Sequence, residues 1–281
     1  MAQILSFASG KGGVGKTLLC ASLGIALARK GKKVLLIDGD MGMRNMDLVL
    51  GLENDCFYNI IDLAEGKCFA RDVILEADDH LDFLPAAPNG NWDDVIPAAM
   101  DTVLEDIEDD YDYIFLDCPA GVGSGIRFAA KVSEKLILVV APSWASRRNA
   151  SQLLHWLGKR TEALLLLNQF AENDETKISF DEMMETVDPD YFGGMVPYAE
   201  EADRLAHQGM LQDYDDKGAF GQALSLVLRV LLEGKTYPER RWSHLLHLAE
   251  KERKEKEPET KKASGLSWHS SSASYRWRRR R

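Results

Sequence analysis

The amino-acid sequence predicts an α/β fold, with a mostly parallel, twisted sheet covered by helices on both faces and a C-terminal tail beyond it. Three observations predict this fold: short, continuously apolar runs recur along the chain, helix-permissive stretches separate them, and a glycine-rich segment joins the first run to the first such stretch. Continuous apolar runs are typical of parallel strands that are buried on both faces. Their alternation with helices is typical of βαβ units.

The first βαβ unit is predicted at the N-terminus. Ile4–Ala8 is an apolar run, Gly10–Gly15 is glycine-rich, Lys16–Lys30 favours a helix, and Val34–Ile37 is apolar again. Gly31 follows the helix, where a capping glycine is expected. Further strands are predicted near Leu81–Pro85, Tyr113–Leu116, Leu136–Ala141, Leu164–Asn168 and Phe192–Val196. Further helices are predicted near Pro97–Ile107, Gly121–Val132, Ser146–Gly158, Ser179–Val187, Ala199–Gln208 and Ala219–Leu232.

The charge of the chain is unevenly distributed. The net charge of −11 divides into −18 over residues 1–238 and +7 over residues 239–281. A strongly acidic body binds nucleic acid or anionic lipid poorly, so a contact with either is expected to come from the tail. We therefore predict one domain over residues 1–238 and a basic tail over residues 239–281, which is mostly disordered from residue 250 onward.

The strongest motif is the glycine-rich segment Gly10–Thr17, which fits the pattern G-x-x-x-x-G-K-[ST] and lies between a predicted strand and a predicted helix. Its glycines allow the backbone N–H groups to surround phosphate oxygens, and the helix N-terminus adds partial positive charge. In such a loop Lys16 reaches the β- and γ-phosphates of a nucleotide, and the Thr17 hydroxyl is a ligand of Mg²⁺. The motif predicts a single P-loop NTPase domain.

Carboxylates at two strand ends complete the predicted site. Asp117 ends an apolar strand, as the Mg²⁺-holding aspartate of such sites does. Asp38 and Asp40 follow the strand Val34–Ile37. Ligands of open α/β sheets bind at the carboxyl ends of the strands, so these carboxylates are expected beside the phosphates.

The loop carries a second lysine, Lys11, and thereby resembles the deviant Walker A ATPases of the MinD/ParA family. The segments Asp38–Asp40, Gly42–Gly51 and Asp117–Val122 are similar to the family's first switch, the segment after it and its second switch. The resemblance covers about residues 1–232, and within the family it is greatest to the branch that determines the septum site.

The resemblance implies roles for individual residues. Lys11 would contact phosphate across an ATP-sandwiched homodimer and, with Lys16 and Asp40, would form the catalytic set, in which Asp40 positions the attacking water. Asp38 would support Mg²⁺ together with its ligands Thr17 and Asp117. The implied nucleotide-binding residues are Gly10, Lys11, Gly12, Gly13, Val14, Gly15, Lys16, Thr17, Leu18, Asn168 and Pro197, of which Asn168 would read adenine.

Two positions depart from the family pattern. Leu18 replaces a threonine, which removes one side-chain contact with phosphate, and Cys118 replaces a serine. Neither change removes a group that handles Mg²⁺ or water, so slow ATP hydrolysis is expected to survive.

The function that the resemblance implies is spatial control of division-site placement. ATP with Mg²⁺ would drive homodimerisation and reversible association with the inner face of the plasma membrane, from a cytoplasmic pool. The implied partners are a division inhibitor and an activating or anchoring factor, whereas nucleic acid is not expected. The alternatives are a DNA-partition ATPase, a regulator of flagellar number, and a nucleotide-gated scaffold with little turnover.

Two parts of the tail could contact a membrane. In the segment 240–249, Trp242, Leu245, Leu246 and Ala249 share one helical face, which suits either an anionic surface or the chain's own domain. The last residues combine aromatic side chains with five arginines. This composition suits anionic lipid, nucleic acid or a solubilising end. The aromatic and basic residues concerned are Trp268, Tyr275, Arg276, Trp277 and Arg278–Arg281.

Overall fold

The computed structural model describes residues 1–94, 97–158, 162–171 and 180–263. Among these residues, eight strands form one sheet in the order β3-β4-β2-β5-β1-β6-β7-β8. The strands are β1 (Gln3–Ala8), β2 (Val34–Asp38), β3 (Leu75–Asp78), β4 (Leu81–Leu84), β5 (Tyr113–Asp117), β6 (Lys135–Val140), β7 (Ala163–Phe170) and β8 (Tyr191–Pro197). Every pair is parallel except β3 with β4. The predicted α/β class and mostly parallel sheet are confirmed.

Helices connect the strands and cover the sheet. They are α1 (Lys16–Ala28), α2 (Met46–Leu50), α3 (Ile60–Ala64), α4 (Ala70–Val73), α5 (Pro97–Ile107), α6 (Ser124–Val132), α7 (Trp144–Leu157), α8 (Phe180–Val187), α9 (Glu200–His207), α10 (Ala219–Glu233) and α11 (Glu239–Ala263). All five residues of β2 are buried, as expected for a strand with packing on both faces. No helix among the described residues has the length and apolar content needed to span a membrane.

The sheet places the site residues at one edge. In the parallel register of β2 and β5, Asp38 lies beside Asp117, and in the register of β1 and β5, Phe7 lies beside Asp117. The loop after β1, which contains the glycine motif, therefore emerges next to both aspartates. The order β2-β5-β1 thus brings the predicted phosphate loop and the predicted carboxylates to the same carboxyl edge.

The structure contains elements between β2 and β5 that the sequence patterns do not predict. Strand β3 pairs antiparallel with β4 at the edge of the sheet, and α2, α3 and α4 precede it. The residues of β3 alternate between half-buried and exposed, so the strand lacks a continuous apolar run. In a half-exposed edge strand of four residues, the alternating pattern is too short to be recognised as a strand in the sequence.

Helix α11 lies on the far side of the predicted boundary at residue 238 and packs on the domain. The Trp242 ring meets Phe192 of β8 edge to face, with ring centroids 5.8 Å apart. Leu245 and Leu246 are also buried. A Cβ at Gly194 would lie 2.9 Å from the Trp242 ring, so the close approach of helix and strand requires glycine there.

The predicted face at 240–249 is therefore docked on the chain's own domain. The helix is also longer than predicted, because it continues to Ala263 through the segment that was expected to be disordered from residue 250. The aromatic and arginine-rich segment that includes Trp268 and Arg278–Arg281 lies outside the described residues.

Candidate functional site

The phosphate loop connects β1 to α1 at the carboxyl edge of the sheet. Gly13 and Gly15 have φ values of 76° and 80°, in the left-handed region that favours glycine. Gly15 is the N-cap of α1, and no side chain caps the helix there. The first N–H groups of α1 are thus directed into the loop without a side-chain acceptor, which suits an anionic ligand.

Two glycines of the loop are required by close neighbours. A Cβ at Gly10 would lie 2.3 Å from the backbone of Asn149 in α7. A Cβ at Gly15 would lie 2.2 Å from the side-chain nitrogen of Asn168. The loop is therefore held between α7 on one side and the end of β7 on the other, and its shape is fixed by packing as well as by sequence.

The three residues expected to handle phosphate and Mg²⁺ meet at one carboxylate. The Lys16 ammonium donates to Asp117 Oδ1 at 2.6 Å, and the Thr17 hydroxyl donates to Asp117 Oδ2 at 2.6 Å. Lys16 and Asp117 are buried, so their pairing compensates two charges that would otherwise be costly in the interior. Burial alone lowers the pKa of Lys16, but the attraction and hydrogen bond of Asp117 outweigh it and raise that pKa, so the lysine is a cation.

Asp38 is buried and organises the loop that follows β2. Its Oδ1 accepts a hydrogen bond from the Asp40 N–H at 2.9 Å, and its Oδ2 accepts one from the Met46 N–H at 3.2 Å. Burial, followed by the charge of Asp117, raises the pKa of Asp38 to about 7. The carboxylate thus joins the start of the loop to the first residue of α2, in addition to lying beside Asp117.

Asp40 is half-buried at the same edge. The pKa of its carboxyl is raised overall. Burial raises it most, the charge of Lys16 lowers it, and the charge of Asp117 raises it. Its backbone is fixed by Asp38, and the preceding Gly39 N–H donates to the Asp117 carbonyl at 2.8 Å. The segment that resembles the family's first switch is therefore attached to the end of β5, within electrostatic range of Lys16.

The donors present fit Mg²⁺ held together with a nucleotide. The Thr17 hydroxyl and the Asp117 carboxylate are adjacent oxygens, which Mg²⁺ prefers. Among the described residues no group of three or more His, Cys, Asp or Glu side chains could hold a metal ion. Mg²⁺ usually takes one or two protein oxygens, with water and substrate phosphates as its other ligands, and the site offers this number.

Lys11 is exposed beside the loop. With Gly13 and Val14 it lines a small opening whose opposite wall is Ala141–Ser143, the segment after β6. The two lysines of the motif thus occupy different environments: Lys16 is buried and paired, and Lys11 is open to solvent.

A wider cleft of about 680 Å³ extends from the other side of the loop. Its walls are α2 with the residues just after it, and α9 with the residues just after it. Gly51 and Gly209 meet where these walls touch, since a Cβ at Gly209 would lie 2.7 Å from the Gly51 Cα. Leu18 lines this cleft, so the position that lacks the family threonine contributes an apolar surface to it.

Two residues that the resemblance implies as nucleotide-binding, Asn168 and Pro197, are both buried. Asn168 donates its side-chain N–H to the Val14 carbonyl at 2.9 Å and thereby supports the loop from below. Pro197 is buried at the end of β8. Gln169, which the sequence patterns do not single out, also lines the cleft. No local signal in the sequence marks it.

Comparisons with known proteins agree with this site. An AAA domain model matches residues 2–170. The septum site-determining protein MinD of Bacillus subtilis is 32% identical over 248 residues, which cover 85% of this chain and 91% of that protein. MinD of Synechocystis is 43% identical over 157 residues, which cover 55% of this chain and 59% of that protein.

Solved structures give the same result. A MinC:MinD cell division protein complex from Aquifex aeolicus matches with a TM-score of 0.75 and 32% identity, covering 86% of this chain and 99% of that chain. MinD from Pyrococcus horikoshii, complexed with Mg-ADP, matches with a TM-score of 0.72 and 28% identity, covering 83% of this chain and 97% of that chain.

Proposed function

Because the chain belongs to the MinD/ParA family of P-loop ATPases, we propose that it is an ATP-driven switch that contributes to placement of the division site. The observation that carries the proposal is the cluster at the carboxyl edge, in which Lys16, Thr17 and Asp117 meet beneath a glycine loop. This is the arrangement that nucleotide phosphates and Mg²⁺ require.

Binding of ATP is proposed to reorganise this cluster. The Lys16 ammonium would exchange part of its pairing with Asp117 for the β- and γ-phosphates, and Thr17 and Asp117 would hold Mg²⁺, which neutralises charge on the phosphates. The free N–H groups at the start of α1 surround the phosphates. The relative from Pyrococcus horikoshii, which was solved with Mg-ADP, supports this assignment.

Hydrolysis is proposed to depend on Asp40. Its backbone is fixed through Asp38 and Gly39, and its carboxyl lies within electrostatic range of Lys16. A carboxylate held in this way can orient a water for attack on the γ-phosphate. We expect Asp40→Ala to bind ATP within a few-fold of wild type but to lose at least tenfold in turnover. Equal turnover in the two proteins would favour a nucleotide-gated scaffold.

Dimerisation with ATP is proposed to use Lys11. Its exposure on the opening beside the loop leaves its ammonium available to phosphate bound by a second copy. Light scattering with AMP-PNP and Mg²⁺ should give a dimer for wild type and a monomer for Lys11→Ala. Lys33, an exposed lysine at the opposite end of β2, provides the matched control Lys33→Ala. An intact dimer of Lys11→Ala would contradict this role.

Membrane association is proposed to use the segment 264–281 and not α11. The apolar face of α11 is buried on the domain, with Trp242, Leu245 and Leu246 at most 8% exposed. The segment 264–281 adds aromatic side chains and five arginines, and each basic residue near anionic lipid contributes about 1 kcal/mol. Dimerisation would double this contact and strengthen it through avidity.

Co-sedimentation with anionic liposomes tests this proposal. Wild type should pellet with ATP more than with ADP, and a chain ending at Ala263, which retains α11, should lose the difference. Neutral liposomes give the control for charge. If the shortened and full-length chains pelleted equally, another part of the molecule would make the membrane contact.

A partner of the Min type is proposed from the relative that was solved as a MinC:MinD complex. We propose a division inhibitor and an activating or anchoring factor as partners of this chain. The charge of −18 over residues 1–238 disfavours the DNA-partition alternative. ATP-dependent, salt-sensitive retention of DNA by the chain ending at Ala263 would reverse that ranking.

A further inference from the structure

A cavity of about 210 Å³ lies where α9, α10 and α11 meet. It is bordered by residues 198–202 at the start of α9, by residues in the span 214–220 that leads into α10, and by Ala249, Glu252 and Arg253 of α11. Of the described residues, none lines both this cavity and the nucleotide cleft. An apolar cavity of about 150 Å³ binds benzene, so this cavity has room for an aromatic ring.

Aromatic side chains form part of the cavity wall. Tyr214 and Phe220 are 4% and 7% exposed, and their rings meet edge to face with centroids 5.5 Å apart. Tyr198, which is exposed, contributes a third ring. The hydroxyl oxygen of Tyr214 has no hydrogen-bond partner among the described residues. Because a buried polar atom normally has a partner, the wall suits an aromatic group that brings an N–H donor.

The charged residues around the cavity are mostly carboxylates. Glu200, Glu201, Asp215 and Glu252 line it, and Arg253 is the one cation among its described lining residues. Glu200 and Asp215 are exposed, and neither forms an ion pair within the described part of the chain. Four carboxylates around one guanidinium attract a cationic group, and a guanidinium also interacts favourably with the faces of tyrosine and phenylalanine rings.

The segment 264–281 of the same chain has the complementary composition. It contains five arginines, three aromatic residues and no Asp or Glu. It follows Ala263, which lies ten residues after Arg253 on α11, or about 15 Å along the helix at about 1.5 Å per residue. Because the 18 residues of the segment can extend over about 60 Å, the segment is long enough to return to the cavity.

We propose that this segment docks on its own chain, with the Trp277 ring in the cavity against Tyr214 and Phe220, and with Arg276 and Arg278 at the surrounding carboxylates. Trp277 has an arginine on each side, and its indole supplies an N–H donor. The inference goes beyond the proposed membrane contact, because the cavity and an anionic lipid surface then compete for the same arginines. A docked segment is withheld from the membrane.

Protection from trypsin tests the proposal in the full-length protein without nucleotide. Trypsin cleaves after an arginine only when that side chain is free to enter the protease, so a docked arginine is protected. Mass spectrometry gives the rate of cleavage within residues 276–281, and each rate is divided by the rate of the free peptide 264–281 with the same sequence. At about 0.05 M salt we expect wild type to be cleaved at least about fivefold more slowly than its peptide, and at about 0.5 M salt we expect this protection to fall.

The cavity variant is Glu200→Gln with Asp215→Asn, which removes two charges and keeps the shape of both side chains. Asparagine also retains the acceptor that Asp215 Oδ1 offers to the Lys217 N–H. Glu252 is left unchanged because it accepts the Ala219 N–H at the start of α10. The matched control removes two exposed carboxylates of α5, with Glu105→Gln and Asp106→Asn.

We expect the cavity variant to be cleaved within about twofold of its peptide and the control to stay as protected as wild type. Trp277→Ala should lose protection in the same way. With ADP and anionic liposomes, the cavity variant should pellet several-fold more than wild type, because its arginines are released to lipid.

Wild type cleaved as fast as its peptide would overturn the inference, and so would protection that persists in the cavity variant. Both results would leave the proposed function intact. If wild type failed to pellet with either nucleotide, the proposed membrane contact would fail, and the protease measurement would still decide whether the segment docks.

Discussion

The phosphate edge and the interface of α11 are both buried, but they are stabilised in different ways. At the phosphate edge the charged side chains are bonded to one another or to the backbone, as in the pair of Lys16 with Asp117 and the hydrogen bonds to Asp38. At the α11 interface aromatic rings pack together, and two buried polar atoms, Trp242 Nε1 and the Tyr237 hydroxyl oxygen, have no hydrogen-bond partner in the part of the chain that the structure describes.

The difference determines how each region responds to change. A network of paired charges in the interior fails when one member is removed, because its partner is left buried and uncompensated. An apolar interface loses stability in proportion to the packing removed, and each unpaired polar atom costs about 1–3 kcal/mol. We therefore expect mutations at the phosphate edge to change ligand binding as well as stability, and mutations at the α11 interface to change stability alone.

The largest expected effect is on stability at α11. Trp242→Ala removes the ring that packs on Gly194 and Phe192, and it should lower the free energy of unfolding by about 3–5 kcal/mol. Urea denaturation measures this change. Trp242→Phe is the control, since it keeps a ring and removes the unpaired N–H, and it should cost much less. If ADP affinity changed more than twofold in Trp242→Ala, the two regions would be coupled.

The next effect is on binding at the phosphate edge. Lys16→Met removes the ammonium that pairs with Asp117, and it should weaken ADP binding about 100-fold, equivalent to about 2.7 kcal/mol. Calorimetry measures the loss. Lys16→Arg retains the charge in a different shape, so it separates the contribution of the charge to ADP affinity from that of the side-chain shape. Near-normal ADP affinity of Lys16→Met would mean that the buried lysine does not contribute to ADP binding.

The smallest effect concerns an unpaired atom. Tyr237→Phe removes a buried hydroxyl that has no partner among the described residues, so the free energy of unfolding should rise by about 1 kcal/mol, the lower end of the cost of an unpaired buried polar group. Thermal unfolding is sensitive enough to detect this. A loss of stability would mean that the hydroxyl has a partner, and the contrast between the two regions would weaken.

The sequence predicted the phosphate edge better than the remainder of the molecule. Fixed spacing identified Gly10–Thr17, and the ends of apolar strands identified Asp38 and Asp117, because each signal is local. The docking of α11 could not be predicted, since the same apolar stripe suits any apolar surface, and its complement on β8 lies about 50 residues away. The left-handed backbone at Gln169 could not be predicted either, because glycine and asparagine are the residues that usually indicate this conformation and neither stands there.

Helix α11 also caps the N-terminus of the neighbouring helix α10. Helix α10 has Gly218 as its N-cap and no side-chain cap from its own sequence, but the Ala219 N–H donates to the Glu252 carboxylate at 2.9 Å. The cap therefore comes from a residue synthesised 33 positions later. During translation, α10 can form against the sheet before its first turn is secured, and the domain reaches full stability only after α11 has been made. The order of synthesis thus places the last stabilising step of the ATPase domain near its C-terminal helix.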